Sequence, residues 1–421
     1  WEQVATDEVR RRLNDPSGES ENLGQTRRWG YDAQLNLYPA SALNLWLAHS
    51  WQFSEIEKAD PSLPASQGQE IDHVPRRLYS AGSSYQATPD LQLSAWLNGQ
   101  TDYYLERENT QGKYGGYVLF NLGASYRKNG INQLGAEWLT RLQLGDRQEL
   151  YSEFYQPLDA GSRWFAAPNL FIEAQNVEAI LDNDPIAEYR LQRYGYGLNL
   201  GRQIANNGEI RFGIGQAWGE ADVRIGERDL PDFSFTEGYY EMQYSFDTLD
   251  NIDFPREGED IRLTLLQYDP SLSSDQRYRQ WNIKLDKALS HGANTWVLGG
   301  LYGRTLDDAE VVTSSFLLGG ARQLSGFRQD ALSGQNVSLG RVVYYRRVTP
   351  RAFQPLDFPL YLGGSLERGR AWNNDNAFDS GYINAASIFL GYDTPLGPLN
   401  FGYGINDEDE QALYMNLGRS F

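Results

Sequence analysis

Histidine is the scarcest residue here that could do chemistry: His49, His73 and His291 are the only three in 421 residues, and there is no cysteine. Each histidine stands alone on a predicted strand or in a turn, without the neighbours that metal ligation or a Ser-His-Asp triad needs. The lack of cysteine excludes disulfides and thiolate metal sites and fits an exported bacterial protein. No Gly-x-Ser-x-Gly nucleophile elbow occurs. The acidic pair Asp407/Glu408 could be drawn as general acid and base, but no strand pattern gives it a pocket. Gly319-Gly-Ala-Arg322 has the composition of an anion-binding turn and reads as loop structure. The sequence predicts no catalysis, no cofactor and no metal.

The formal charge of −19 argues against a nucleic-acid partner, because phosphate binding needs clustered Lys and Arg. The acidic residues gather in segments that read as solvated loops: Asp182-Asn-Asp-Pro185, Asn373–Asp379 and Asp407-Glu-Asp-Glu410. They lack the ordered spacing of a calcium loop, which leaves divalent cations bridging to lipid headgroups as their only metal chemistry.

Between the loops, period-2 alternation recurs almost without pause. Ala33, Leu35 and Leu37 alternate with Asp32, Gln34 and Asn36; Leu43, Leu45 and Leu47 follow after the turn Pro39-Ala-Ser41. Ile210, Phe212 and Ile214 form a similar row further on. At the end of the chain Leu413, Met415, Leu417 and Phe421 fall on one side, and Tyr414, Asn416, Gly418 and Ser420 on the other. Strands with one apolar and one polar face suit a wall between lipid and a wet lumen. Each needs only about 9–11 residues to span. The 42 glycines, 27 tyrosines and 11 tryptophans agree, with aromatics lying at the membrane interfaces.

The predicted fold is therefore all-β: a transmembrane antiparallel β-barrel in the bacterial outer membrane. Sixteen strands run from Leu91 to the end. Trp1–Arg12, Tyr31–Tyr38, Leu43–Phe53 and Leu78–Gln86 raise the number to twenty, which is favoured because it covers apolar faces and open edges. The alternative is sixteen strands, Leu91–Arg107 pairing with Ala412–Phe421, plus an N-terminal extension. With no signal peptide before Trp1, the chain reads as mature or trimmed.

Two resemblances divide the sequence. Residues 118–421 resemble the C-terminal barrel of the bacterial surface-antigen superfamily, which includes outer-membrane insertases and two-partner secretion translocators. Within it, the likeness is to the barrel of patatin-like type V d autotransporters. Leu134-Gly-Ala-Glu-Trp138 and Tyr151–Asp159 carry the early strands, Leu318–Phe327 the long loop that folds back into the lumen, and Glu367-x-Gly369 the strand that receives it. The terminal row Leu413, Met415, Leu417 and Phe421 resembles the assembly signal of such barrels. Residues 1–117 resemble late barrel strands of TonB-dependent receptors, through Thr26–Pro39, Leu43–Trp51, Val74-Pro-Arg-Arg77 and Leu91–Tyr104. No plug domain, TonB box or receptor-type final strand is visible, so the whole looks like one fused or recombined barrel.

The surface-antigen resemblance implies a lock in which a loop arginine pairs with an acidic residue on the wall. Ser325 occupies that arginine position, beside Gly326 and Phe327. A lock on Glu367, with Gly369 nearby, must use Arg322, Arg328 or a neutral Ser325 hydrogen bond. The expected function is a secretion or translocation pore lacking the family's separate hydrolase passenger. Expected partners are outer-membrane lipid and lipopolysaccharide, the barrel assembly machinery, and a translocated polypeptide or small solute. The alternatives are a passive uptake channel or ligand receptor, with contacts on Ser54–Pro75 and Glu106–Gly116 near Arg76, Arg77, Tyr103 and Tyr104, or a structural barrel with no transport role.

Overall fold

The computed structural model describes residues 2–6, 8–11, 20–181, 184–226, 230–307, 315–348, 359–374, 381–394, 397–408 and 410–417. The chain forms an antiparallel β-barrel whose wall is a 20-stranded sheet. Among the described residues, helix is confined to two single 3₁₀ turns, Pro64–Ser66 and Pro270–Leu272. Among these residues no helix is long and apolar enough to cross a membrane.

The wall strands are β1 (Glu2–Ala5), β2 (Gln25–Ala40), β3 (Leu43–Lys58), β4 (Arg77–Thr88), β5 (Leu91–Gln100), β6 (Tyr117–Lys128), β7 (Glu137–Leu144), β8 (Gln148–Pro157), β9 (Trp164–Leu181) and β10 (Asp184–Ile204). They continue as β11 (Gly208–Ile225), β12 (Phe233–Asp247), β13 (Gly258–Tyr268), β14 (Tyr278–His291), β15 (Asn294–Thr305), β16 (Asn336–Arg347), β17 (Leu360–Trp372), β18 (Ile383–Thr394), β19 (Gly397–Asn406) and β20 (Gln411–Leu417).

Two compact units share these strands. In the first, residues 1–127 with 140–149, β5 is bonded to β4 on one edge and β6 on the other. Leu91–Gln100 therefore has no open edge, and the segments before it belong to the wall. The long first strand expected over Trp1–Arg12 is corrected. Glu2–Ala5 pairs with Thr26–Trp29 of β2, and Val9–Arg11 turns away into a hairpin with Ser20–Asn22. Beyond Ala5 only Val9 is apolar in that stretch, so it offers no continuous apolar row to hold a full strand against lipid. The loop expected over Ser54–Pro75 is also shorter: β3 runs on to Lys58, and Leu23, Ile56 and Ile71 form a small core beyond it.

The second unit, residues 128–139 and 150–421, holds β9 to β20 in sequence order, each paired with the next. Period 2 decides its faces. On β17, Tyr361, Ser365, Glu367 and Ala371 are buried, whereas Leu362 and Leu366 are exposed, Leu366 by 68%. Leu198, Phe212, Leu298, Ile388 and Phe401 extend the outward apolar row. Such a row is stable against hydrocarbon and would be an aggregation hazard in water. The opposite face carries ion pairs, among them Arg193 with Glu173 (3.1 Å) and Glu237 (2.7 Å), and Arg341 with Asp286 (2.7 Å).

Candidate functional site

The long connection between β15 and β16 turns back onto the inner face of the second unit. Phe316–Leu318 pairs with Leu332–Gly334, a two-stranded stem that brings residues 319–331 into a compact tip. Leu318, Leu324 and Leu332 pack with Val337, Leu339, Ala371, Ile383 and Ala385 from β16, β17 and β18, with Phe327 against the same cluster. The tip is thus anchored by apolar burial before any polar bond is counted.

Its polar contacts converge on Glu367, which is 4% exposed. The backbone amides of Leu324 and Ser325 donate to Oε2 at 2.6 and 2.8 Å, and the Ser325 hydroxyl donates to Oε1 at 2.7 Å. Ser365, two residues back on β17, donates its hydroxyl to Oε1 at 2.5 Å and lies 2.6 Å from the Ser387 hydroxyl. Four donors on one carboxylate satisfy its acceptor sites. The loop backbone makes this possible. Arg322, Leu324 and Gly326 have φ of 61°, 71° and 108°. The left-handed residues turn successive N–H groups into one concavity, the kind of nest that binds anions. A non-glycine residue held there costs about 1–3 kcal/mol, which charge-assisted bonds worth roughly 1.5–3 kcal/mol each offset.

A second attachment lies on the last strand. The Gly326 amide donates to the Tyr414 hydroxyl at 2.8 Å, and that hydroxyl donates to the Phe327 carbonyl at 2.7 Å. Gly326 is required twice over. Its φ suits glycine, and a Cβ would sit 2.6 Å from Asn406 Nδ2 and 2.7 Å from the Glu410 carbonyl.

Arg322 does not reach Glu367 by hydrogen bond. Its amide donates to the Ser325 hydroxyl (3.0 Å), its carbonyl accepts from Arg341 (3.2 Å), and its guanidinium lies over the Phe389 ring, 5.4 Å from the centroid. Arg328 is exposed. Gly369 lies two residues beyond Glu367, where a Cβ would be 2.6 Å from the Ser338 carbonyl. The structure brings Ser325, Gly326 and Phe327 onto the wall that carries Glu367 and Gly369. Tyr414 was legible only as a member of the polar face. The backbone nest has no sequence signal apart from its glycines.

Leu413, Met415 and Leu417 lie on β20, opposite Tyr403, Phe401 and Leu399 of β19; Phe421 is outside the described residues. In the first unit, the candidate ligand groups hold the loops together. Arg76 is bonded to Glu70 at 2.7 and 2.8 Å, Lys113 lies over Tyr104, and Tyr103 packs on His73. Arg77 is exposed. Among the described residues no cluster of His, Asp and Glu could hold a metal ion.

A membrane-facing antiparallel barrel with a loop folded onto its inner wall defines a class, the outer-membrane β-barrel channels. Within it, residues 130–421 match the Omp85 superfamily domain, and the chain belongs to that superfamily. Residues 4–147 also match the TonB dependent receptor-like β-barrel, so the two matches overlap over 130–147. Among solved structures, BamA from Haemophilus ducreyi lacking POTRA domains 1–3 is similar, with 15% identity and a TM-score of 0.59 over 72% of this chain and 67% of that one. CdiB from Acinetobacter baumannii matches at 13% identity and a TM-score of 0.48, over 72% of this chain and 56% of that one. CdiB from Escherichia coli matches at 11% identity and 0.43, over 97% and 66%. The chain thus spans two thirds or less of these relatives' length.

The expected likeness to patatin-like type V d autotransporters is corrected by these matches, which are to the Omp85 superfamily domain and to the receptor-like barrel. The protein is an outer-membrane β-barrel of the Omp85 superfamily.

Proposed function

We propose that this barrel passes polypeptide through a lumen held shut at rest by the 319–331 tip. One observation carries the reading: a buried carboxylate on the wall, Glu367, takes three hydrogen bonds from the loop, while Tyr414 on the final strand takes and returns two more. Such a lock is strong enough to keep the loop in place and local enough to be released as a unit. The proposed role of Ser325 is that of the family arginine, with the loop's own amides supplying the charge complement. Outer-membrane lipid and lipopolysaccharide surround the barrel in this reading, and the assembly machinery inserts it. We further propose that the receptor-like strands before residue 118 widen the wall of a recombined barrel, since lumen diameter grows with strand number.

Solute-swelling assays on proteoliposomes test the assignment. A plugged translocator gives little sugar permeation at rest, and replacing Gly326 by tryptophan, which cannot fit against Asn406 and Glu410, raises it. Free, size-selective permeation through the unaltered protein would favour a passive uptake channel instead.

A further inference from the structure

The ten residues 248–257 join β12 to β13 at the opposite end of the strands from the long loop, and they form a rigid, inward-packed unit. Asp250 Oδ1 accepts from the amides of Arg256 (2.7 Å) and Glu257 (3.1 Å). Asn251 Oδ1 accepts from those of Asp253 (2.8 Å) and Phe254 (3.1 Å). The Arg256 guanidinium donates to the Gly292 carbonyl at 2.6 Å, and the Ser290 hydroxyl donates to the Arg256 carbonyl at 2.7 Å, tying the turn to the neighbouring hairpin.

This frame carries Phe254 onto the inner faces of β16, β17 and β18, where it is 1% exposed. Its ring stacks on Tyr361 at 4.6 Å and 20°, and meets Tyr345 edge-on at 5.9 Å. The Tyr345 hydroxyl donates to the Pro255 carbonyl. Gly391 leaves the space, because a Cβ there would collide with the Phe254 ring. A turn needs no buried aromatic to reverse a chain, and a lumen wall is ordinarily wet. Burial of the whole phenylalanine favours the seated position.

The long loop reaches the same cluster from the other end. Tyr345 meets Phe389 edge-on at 6.4 Å, and Arg322 lies over the other ring of that pair. We propose that the 248–257 turn is a second stopper of the channel, seated by Phe254 on Tyr345 and Tyr361 and coupled to the long loop through Phe389 and Arg322. The proposal rests on the reading that the loop closes the lumen.

Planar-bilayer recordings of four proteins test it: the unaltered chain, Glu367→Gln, Phe254→Ala, and the double variant, each first shown to migrate as a folded barrel. Phe254→Ala should raise the frequency of opening by about tenfold, the scale of one lost aromatic contact. In the Glu367→Gln background the rise should be smaller, because the two stoppers share contacts. Purely structural packing predicts lower thermal stability with unchanged opening in both backgrounds, and that result would overturn the proposal. Equal fold-changes in both backgrounds contradict the coupling. If Glu367→Gln is silent while Phe254→Ala opens the channel, the stopper stands and the loop reading falls. Should Phe254→Ala not fold, Phe254→Cys with Tyr361→Cys in this cysteine-free chain, joined by a short cleavable linker, provides the second measurement. Joined barrels carrying Glu367→Gln should stay shut until the linker is cut, and opening while joined sinks the idea.

Discussion

Glu367 is the residue on which the site turns, and its donors are unequal. The Ser325 hydroxyl is one neutral donor among four, so Ser325→Ala should loosen the tip by about 1 kcal/mol. Glu367→Gln removes the charge that both amides share and turns a donor toward donors, which should cost about 3 kcal/mol. Hydrogen exchange of the peptide spanning 319–332 measures both. Exchange at the Leu324 and Ser325 amides should accelerate about fivefold in the first variant and at least a hundredfold in the second. Equal effects would mean that the serine, and not the nest, carries the hold. Sequence reading reached Ser325 and Glu367 through their positions in a motif, and it left the donor open among Arg322, Arg328 and Ser325. The backbone decided the matter: left-handed φ at Arg322 and Leu324 is a tertiary outcome, invisible in residue type.

At the scale of elements, most strands were legible because period 2 against lipid is a strong constraint. Trp1–Arg12 misled for the converse reason: it is mostly polar, and only its Glu2–Ala5 part pairs with the wall. In the 248–257 turn Asp250, Asn251 and Asp253 give the composition of an ordinary connection, and nothing local shows that Phe254 is swallowed. Asx-type bonding shapes the loops at the other end as well. Asp269 accepts from the Ser271 amide (2.9 Å), from Gln267 (3.1 Å) and from Arg277 (3.3 Å), and these bonds hold its carboxyl down at about 2. A depressed pKa contributes stability that is complete above the ordinary carboxylate value of about 3.9 and is lost as pH falls through the folded value. Proteolysis of the 269–277 connection should therefore accelerate between pH 4 and 2 with an acid-active protease. Asp269→Asn should be cut faster at pH 5 and show no further rise; a parallel pH response in the two proteins would contradict the assignment.

At the scale of the molecule, residues before 91 either build the wall or hang from it, and β5 has both edges filled within the first unit. Leu93 and Ala124 are register partners. Cysteines at Leu93 and at Tyr85, its partner on the other edge, should oxidise to a disulfide in the folded barrel, and failure to do so under conditions that oxidise a Leu93/Ala124 control pair would reopen the count. Fold class and membrane residence were legible from alternation alone. The subclass was not, because Leu318–Phe327 and Glu367-x-Gly369 are too short to separate subclasses within the superfamily match.

The central claim is that the 319–331 tip closes a translocation channel, and single-channel conductance tests it most directly. The unaltered chain should show low resting conductance with rare large steps. Deleting residues 321–332 should give a steadily open, high-conductance pore, with Glu367→Gln falling between the two. Identical traces from all three proteins, each verified as a folded barrel, would contradict the account.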